Sequence, residues 1–346
     1  MISRETSEKL RALAFSLALL VVPIHCGSLK GVEAIPGWIR ALQAIGSDTI
    51  SRLAVPFFFV VSGFFLMKGI ESGKVLEWWK RVCGKRMMTL VIPYLMWNVV
   101  YYGFKFATGK YGFEWSHASD QLIGWNLVNV PACGQFWYIR CILLYVLAAP
   151  VLWLLLRNLW LGLALLALDV AAWFAGWGLP FYVQPLDGSY LLYFCGGMWL
   201  GLHLDRVRPW IGWCGDRLRG LFLALFVVSS CGVVWAEVMR NGDIASMCNK
   251  LMILSGLATV WFYADCTRKV FEPLRCFWEL SFFIYAFHVL LVSVTYKITS
   301  RMMPEQVYQS VGYLMKIAVG MFGSVVVGAL LRQKLPRVYS LLCGGR

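Results

Sequence analysis

Apolar runs of about 18 or more residues recur from one end of this 346-residue chain to the other. Each is long enough to cross about 30 Å of hydrocarbon as a helix. Read this way, the spans fall near 9–29, 52–68, 87–106, 135–156, 159–178, 188–204, 217–236, 247–265, 277–297 and 311–332. The expected fold is an all-α polytopic membrane helix bundle of about ten transmembrane helices. Only 14% of residues are charged, against about 25% for a soluble domain. No stretch reads as a separate soluble domain, so residues 1–346 are expected as a single membrane domain with none appended. Most loops are short. The longer ones are a basic stretch from Lys68 to Arg86 and one from Thr108 to Gly134 that holds Glu114, His117 and Asp120.

The net charge of +14 does not point to nucleic acid, because the basic residues sort by membrane side. Arg4, Lys9 and Arg11, the Lys68–Arg86 group, Arg157, the Arg206–Arg219 group, Arg268, Lys269 and Arg275, and the tail from Arg332 to Arg346 all fall on one side of the bundle. The positive-inside rule makes that side, with both termini, cytoplasmic, which requires an even number of spans. The first span has no small-residue cleavage site and reads as a retained helix. The 11 Cys are scattered, without a C-x-x-C pair, and read as small hydrophobes. No metal and no tightly bound cofactor is expected.

Against this apolar background, His25 stands out near the far end of the first span. An ionisable side chain within a membrane is costly and usually marks a functional path, and histidine exchanges a proton near neutral pH. Arg11 lies fourteen residues earlier, about 21 Å along a helix and about 40° around it. One face would then carry a cation at its inner end and a proton acceptor far along it, as a channel for a long anionic ligand would. The plainer readings are a snorkelling arginine and an inter-helical histidine hydrogen bond. Arg52 opens the second span on the outer side, against the charge bias, so a ligand or a carboxylate is its expected partner. Pro56 fits a first helical turn, and Ser62-Gly63 is a small step that permits close approach. Asp169 lies in mid-span, His288 is a second intramembrane histidine, and His203 at a helix end reads as structural. Cys26 adjoins His25, but consecutive helical residues point about 100° apart, which argues against a thiol nucleophile there.

The first two spans, with Arg11 and His25 followed by Arg52-Leu53-Ala54-Val55-Pro56-Phe57-Phe58-Phe59-Val60-Val61-Ser62-Gly63-Phe64, resemble the integral-membrane acyltransferase 3 family. Four later segments follow in the family's order. They are Lys80-Arg81…Lys85-Arg86 with Ile92-Pro93-Tyr94, Gly134-Gln135-Phe136-Trp137-Tyr138-Ile139, Tyr193-Phe194-Cys195-Gly196-Gly197-Met198, and Ser281-Phe282-Phe283-Ile284-Tyr285-Ala286-Phe287-His288. The basic loop departs from the family's regular R-x-x-R spacing.

The resemblance, closest to stand-alone members that O-acetylate surface polysaccharides, implies an enzyme of the inner (cytoplasmic) membrane. Its co-substrate would be cytoplasmic acyl-coenzyme A, with acetyl the expected group. Its acceptor would be a hydroxyl of a cell-envelope glycan or a lipid-linked glycan precursor. The expected roles are His25 as general base and Arg11, Lys80, Arg81, Lys85 and Arg86 at the donor's phosphates. Arg52, Ser62, Gly63, Trp137, Tyr138, Tyr285 and His288 would bind the acceptor or shape the site. Besides the lipid bilayer, the donor and the glycan, no partner is expected. The residues suit this chemistry on their own account: a sugar hydroxyl needs a base to take its proton as it attacks, and guanidinium groups suit phosphates. The competing class is a transporter of a glycolipid or small solute with His25 and Asp169 as proton relays, but the first and last five spans show no internal repeat.

Overall fold

The computed structural model describes residues 3–27, 35–67, 70, 72–109, 131–177 and 188–345. Glu114, His117 and Asp120 lie outside these. Among the described residues every element is helical. In chain order they are α1 (Arg4–Ile24), α2 (Gly37–Gln43), α3 (Ala54–Met67), α4 (Val75–Arg86), α5 (Ile92–Ala107), α6 (Trp137–Leu156) and α7 (Leu159–Phe174). There follow α8 (Gly188–Arg217), α9 (Arg219–Met239), α10 (Gly242–Phe262), α11 (Ala264–Phe271) and α12 (Ser281–Met302), then α13 (Glu305–Lys334) and α14 (Pro336–Cys343). Small polar side chains start several of them. Ser3 accepts from the backbone N–H of Thr6, Asn158 from Trp160 and Leu161, and Asn241 from Ile244; each satisfies amides that a first turn leaves free.

Among the described residues, seven helical stretches are long and apolar enough to cross a membrane: Gly37–Met67, Val75–Ala107, Gly134–Leu156, Arg219–Met239, Gly242–Phe262, Ala264–Met302 and Glu305–Lys334. The protein is therefore a multi-pass helical membrane protein. The other three expected spans fall on α1, α7 and α8. Of these, α1 begins among Glu5, Glu8, Lys9 and Arg11, α7 is short, and α8 ends among Asp205, Arg206, Arg208, Asp216 and Arg217.

The chain divides into two compact units, each drawn from separate segments: 1–56 with 209–334, and 57–208 with 335–346. In the first, α1 packs along α12 and α11, and Phe15 meets the edge of Phe271 at 6.0 Å. Ion pairs pin the start of α1, Lys9 to Asp265 at 2.8 Å and Glu8 to Arg275 at 2.7 Å. Desolvation works against the Glu8 charge, but the guanidinium groups of Arg275 and Arg4 outweigh it and hold the carboxyl below its ordinary value. α9 and α10 form an antiparallel pair, joined through Arg240 in the left-handed conformation (φ 58°).

In the second unit, α3 and α8 approach at backbone distance through Gly63 and Gly197. His203 Nε2 lies 2.9 Å from the Leu156 carbonyl, the structural part expected of it. Trp97 donates to the Leu342 carbonyl at 3.0 Å and holds α14 in place.

Candidate active site

α1 ends earlier than its apolar run suggests. Its last helical residue is Ile24, and His25 is the capping residue. The expected span ran on to 29; instead the chain closes with short backbone bonds from His25 to Val22 and from Cys26 to Pro23, both 3.0 Å. Ser47 donates a second hydrogen bond to the Pro23 carbonyl at 2.7 Å and pairs with the Tyr313 hydroxyl at 3.0 Å. A turn of π-helix, Ala44–Asp48, presents Ser47 there, and Gln43 just before it donates to Gln309. Turns of this kind are frequent at functional sites. The turn that carries His25 is thus held at Pro23 by Ser47, which Tyr313 braces in turn.

The His25 side chain is exposed, although protein surrounds it closely enough to desolvate it. Its neighbour on α12, His288, is wholly buried; the two rings lie 5.1 Å apart, centre to centre, at 49°. Arg52 is close enough for its charge to be felt at His25. Its expected carboxylate partner is Asp48, at 2.6 Å, one turn earlier in the same segment. Tyr285 is half-buried on α12. The Cys26 thiol is buried and donates to the Val22 carbonyl at 3.3 Å.

One expectation is corrected. Arg11 is exposed at the start of α1, but the stripe of α1 that joins it to His25 is not an open channel. Phe15, Ala18 and Val22 lie along that stripe and are buried. Shared helical phase placed Arg11 and His25 on one face; packing covers the length between them.

The second unit gathers other expected residues. The Ser62 and Tyr138 hydroxyls lie 3.0 Å apart. Phe59 lies 4.7 Å from the Tyr138 ring and 6.1 Å from that of Trp137, and Tyr190 stacks on it at 5.5 Å. Gly63 is at the α3–α8 contact. Lys80, Arg81 and Lys85 are exposed on α4, with Arg86 half-buried at its end. Tyr138→Phe should lower stability by about 0.5–1.5 kcal/mol, the usual net worth of one hydrogen bond. Thermal unfolding in detergent checks it, and an unchanged midpoint would mean that this pair contributes nothing.

The chain matches the family described as an acyltransferase domain, the acyltransferase 3 family, over residues 10–333. It belongs to that family. No curated protein and no solved structure gives a match. The protein is thus a membrane acyltransferase, and the matched stretch takes in every residue named above as a candidate.

Two buried cations in this acyltransferase were missed by the sequence reading. Lys316 on α13 is almost wholly buried, donates to the Tyr308 hydroxyl at 3.1 Å and sits over that ring at 4.6 Å. Arg140 is buried on α6, one turn past Trp137. An ionisable residue inside an apolar run was the signal available for both.

Proposed function

We propose that this acyltransferase moves an acyl group, acetyl in the first instance, from cytoplasmic acyl-coenzyme A to a hydroxyl of a cell-envelope glycan or its lipid-linked precursor. The membrane is the inner (cytoplasmic) one, with both termini in the cytoplasm. The observation that carries the reading is the exposed imidazole of His25 at the end of α1, set against a second imidazole.

In this scheme His25 takes the proton of the acceptor hydroxyl as its oxygen attacks the thioester carbonyl carbon. The carbon–sulfur bond breaks, the ester remains on the acceptor, and the imidazolium returns the proton to the leaving thiolate. No acyl-enzyme forms, in keeping with the buried, hydrogen-bonded Cys26 thiol. The donor's phosphates are assigned to Arg11, Lys80, Arg81, Lys85 and Arg86, all basic residues of the cytoplasmic side. Arg52, Ser62, Trp137, Tyr138 and Tyr285 are assigned to the acceptor.

Membrane vesicles given acetyl-coenzyme A labelled in its acetyl group provide the test. Label should appear on envelope glycan and be lost with the gene. Accumulation of solute without label transfer would replace this reading with that of a transporter.

A further inference from the structure

Among the described residues, no carboxylate is hydrogen-bonded to the general base assigned above; the ring set against it is His288. The Nδ1 atom of His288 lies 2.9 Å from the Ile284 carbonyl oxygen. A carbonyl only accepts, so Nδ1 carries the hydrogen, and neutral His288 is left with a lone pair on Nε2. That Nε2 is buried and has no hydrogen-bond partner. Buried polar atoms are seldom left so, and each exception calls for a reason. The ring that faces it is His25, with centres 5.1 Å apart. An N–H···N bond of about 3 Å between two five-membered rings turned edge to edge needs a separation of about 5 Å between centres. Reorienting the exposed His25 ring is enough to form it.

We propose that His288 is the positioning residue of His25: its Nε2 accepts the hydrogen bond of one His25 nitrogen and leaves the other free as the base. The inference rests on the reading of His25 given above. The bond fixes the tautomer of His25 before the proton moves and holds the same N–H when the imidazolium forms. A triad carboxylate does this elsewhere. A neutral imidazole does it without burying a second charge in the membrane, where an unpaired carboxylate is expensive. The helix supplies the orientation, because the Ile284 carbonyl one turn earlier fixes which nitrogen of His288 accepts.

The test compares His288→Gln with His288→Asn in the full-length protein in membranes, by kinetics of acetyl transfer. Glutamine can place an oxygen near the position of Nε2; asparagine is too short. His288→Asn should lower kcat by about tenfold to a hundredfold, the range seen for groups that orient a metal-bound histidine, with KM for acetyl-coenzyme A unchanged. His288→Gln should recover most of the loss. In a His25→Ala background, His288→Asn should cause no further loss. Equal kcat for the Gln and Asn variants, or an undiminished loss in that background, would overturn the proposal. If His288→Asn fails to reach the membrane, His288→Phe takes its place. Full activity of His25→Ala itself would sink the reading of the base instead, so the two failures are distinguishable.

Discussion

His25→Ala should lower acyl transfer by about 10²–10⁴, the usual contribution of a positioned general base, while the protein still accumulates in the membrane. The second half of that expectation comes from how the residue is held. Its backbone is anchored through Val22, Pro23 and Ser47, none of which needs the imidazole. Its side chain is exposed, so truncation leaves no cavity in a packed core. Loss of activity in a normally folded variant therefore reports on chemistry. His25→Gln should be as inactive, because an amide keeps the polarity but cannot take up a proton at neutral pH. The measurement is label transfer from acetyl-coenzyme A in membranes matched for protein content. Wild-type rates in either variant would remove His25 from the mechanism.

Gly197→Ala should destabilise the protein severely, while Gly196→Ala, one residue away, should not. A Cβ on Gly197 would lie 2.0 Å from the Val60 carbonyl oxygen, and one on Gly63 would lie 2.1 Å from that of Phe194. Both obstructions are backbone, which cannot swing aside as a side chain can. The helices themselves must part, and their contact is lost along its length. Overpacking typically costs about 1–3 kcal/mol and sometimes more; here the upper end or beyond is expected. A Cβ on Gly196 meets nothing within 4 Å, and replacing a mid-helix glycine there should gain about 0.5–1 kcal/mol. Melting temperatures of the two variants in detergent should move in opposite directions. A Gly197→Ala midpoint equal to the wild type would show that the α3–α8 contact is not a determinant of stability.

These glycines also show how far the sequence could be read. Ser62-Gly63 was legible as a small step that permits close approach, Gly196-Gly197 only as part of a segment that resembles the family's. Only the structure shows that Gly63 and Gly197 meet the facing helix while Gly196 meets open space. The same division runs through the candidate site. His25 was legible as a costly group in an apolar run. Its place at the helix end is set by the tight turn from Val22 to Cys26, whose Pro23 carbonyl accepts from Ser47, a residue remote in sequence. Arg52 called for a carboxylate, and Asp48 one turn earlier was within reach of the i,i+4 rule. Lys316 was legible as an ionisable group in the last apolar run, but its burial against Tyr308 is set by packing.

By itself the sequence determined that the chain is a multi-pass helical membrane protein, and its ordered motifs determined the family. Length and apolarity suffice for the first, since a backbone in lipid must satisfy its own hydrogen bonds. The tertiary structure alone decided which helix faces meet. It buried the stripe between Arg11 and His25 and set His288 against His25. In water an amphipathic pattern marks the buried face of a helix. In a bilayer, lipid-facing and protein-facing surfaces are both apolar, so the pattern that reveals a span says nothing about its partners.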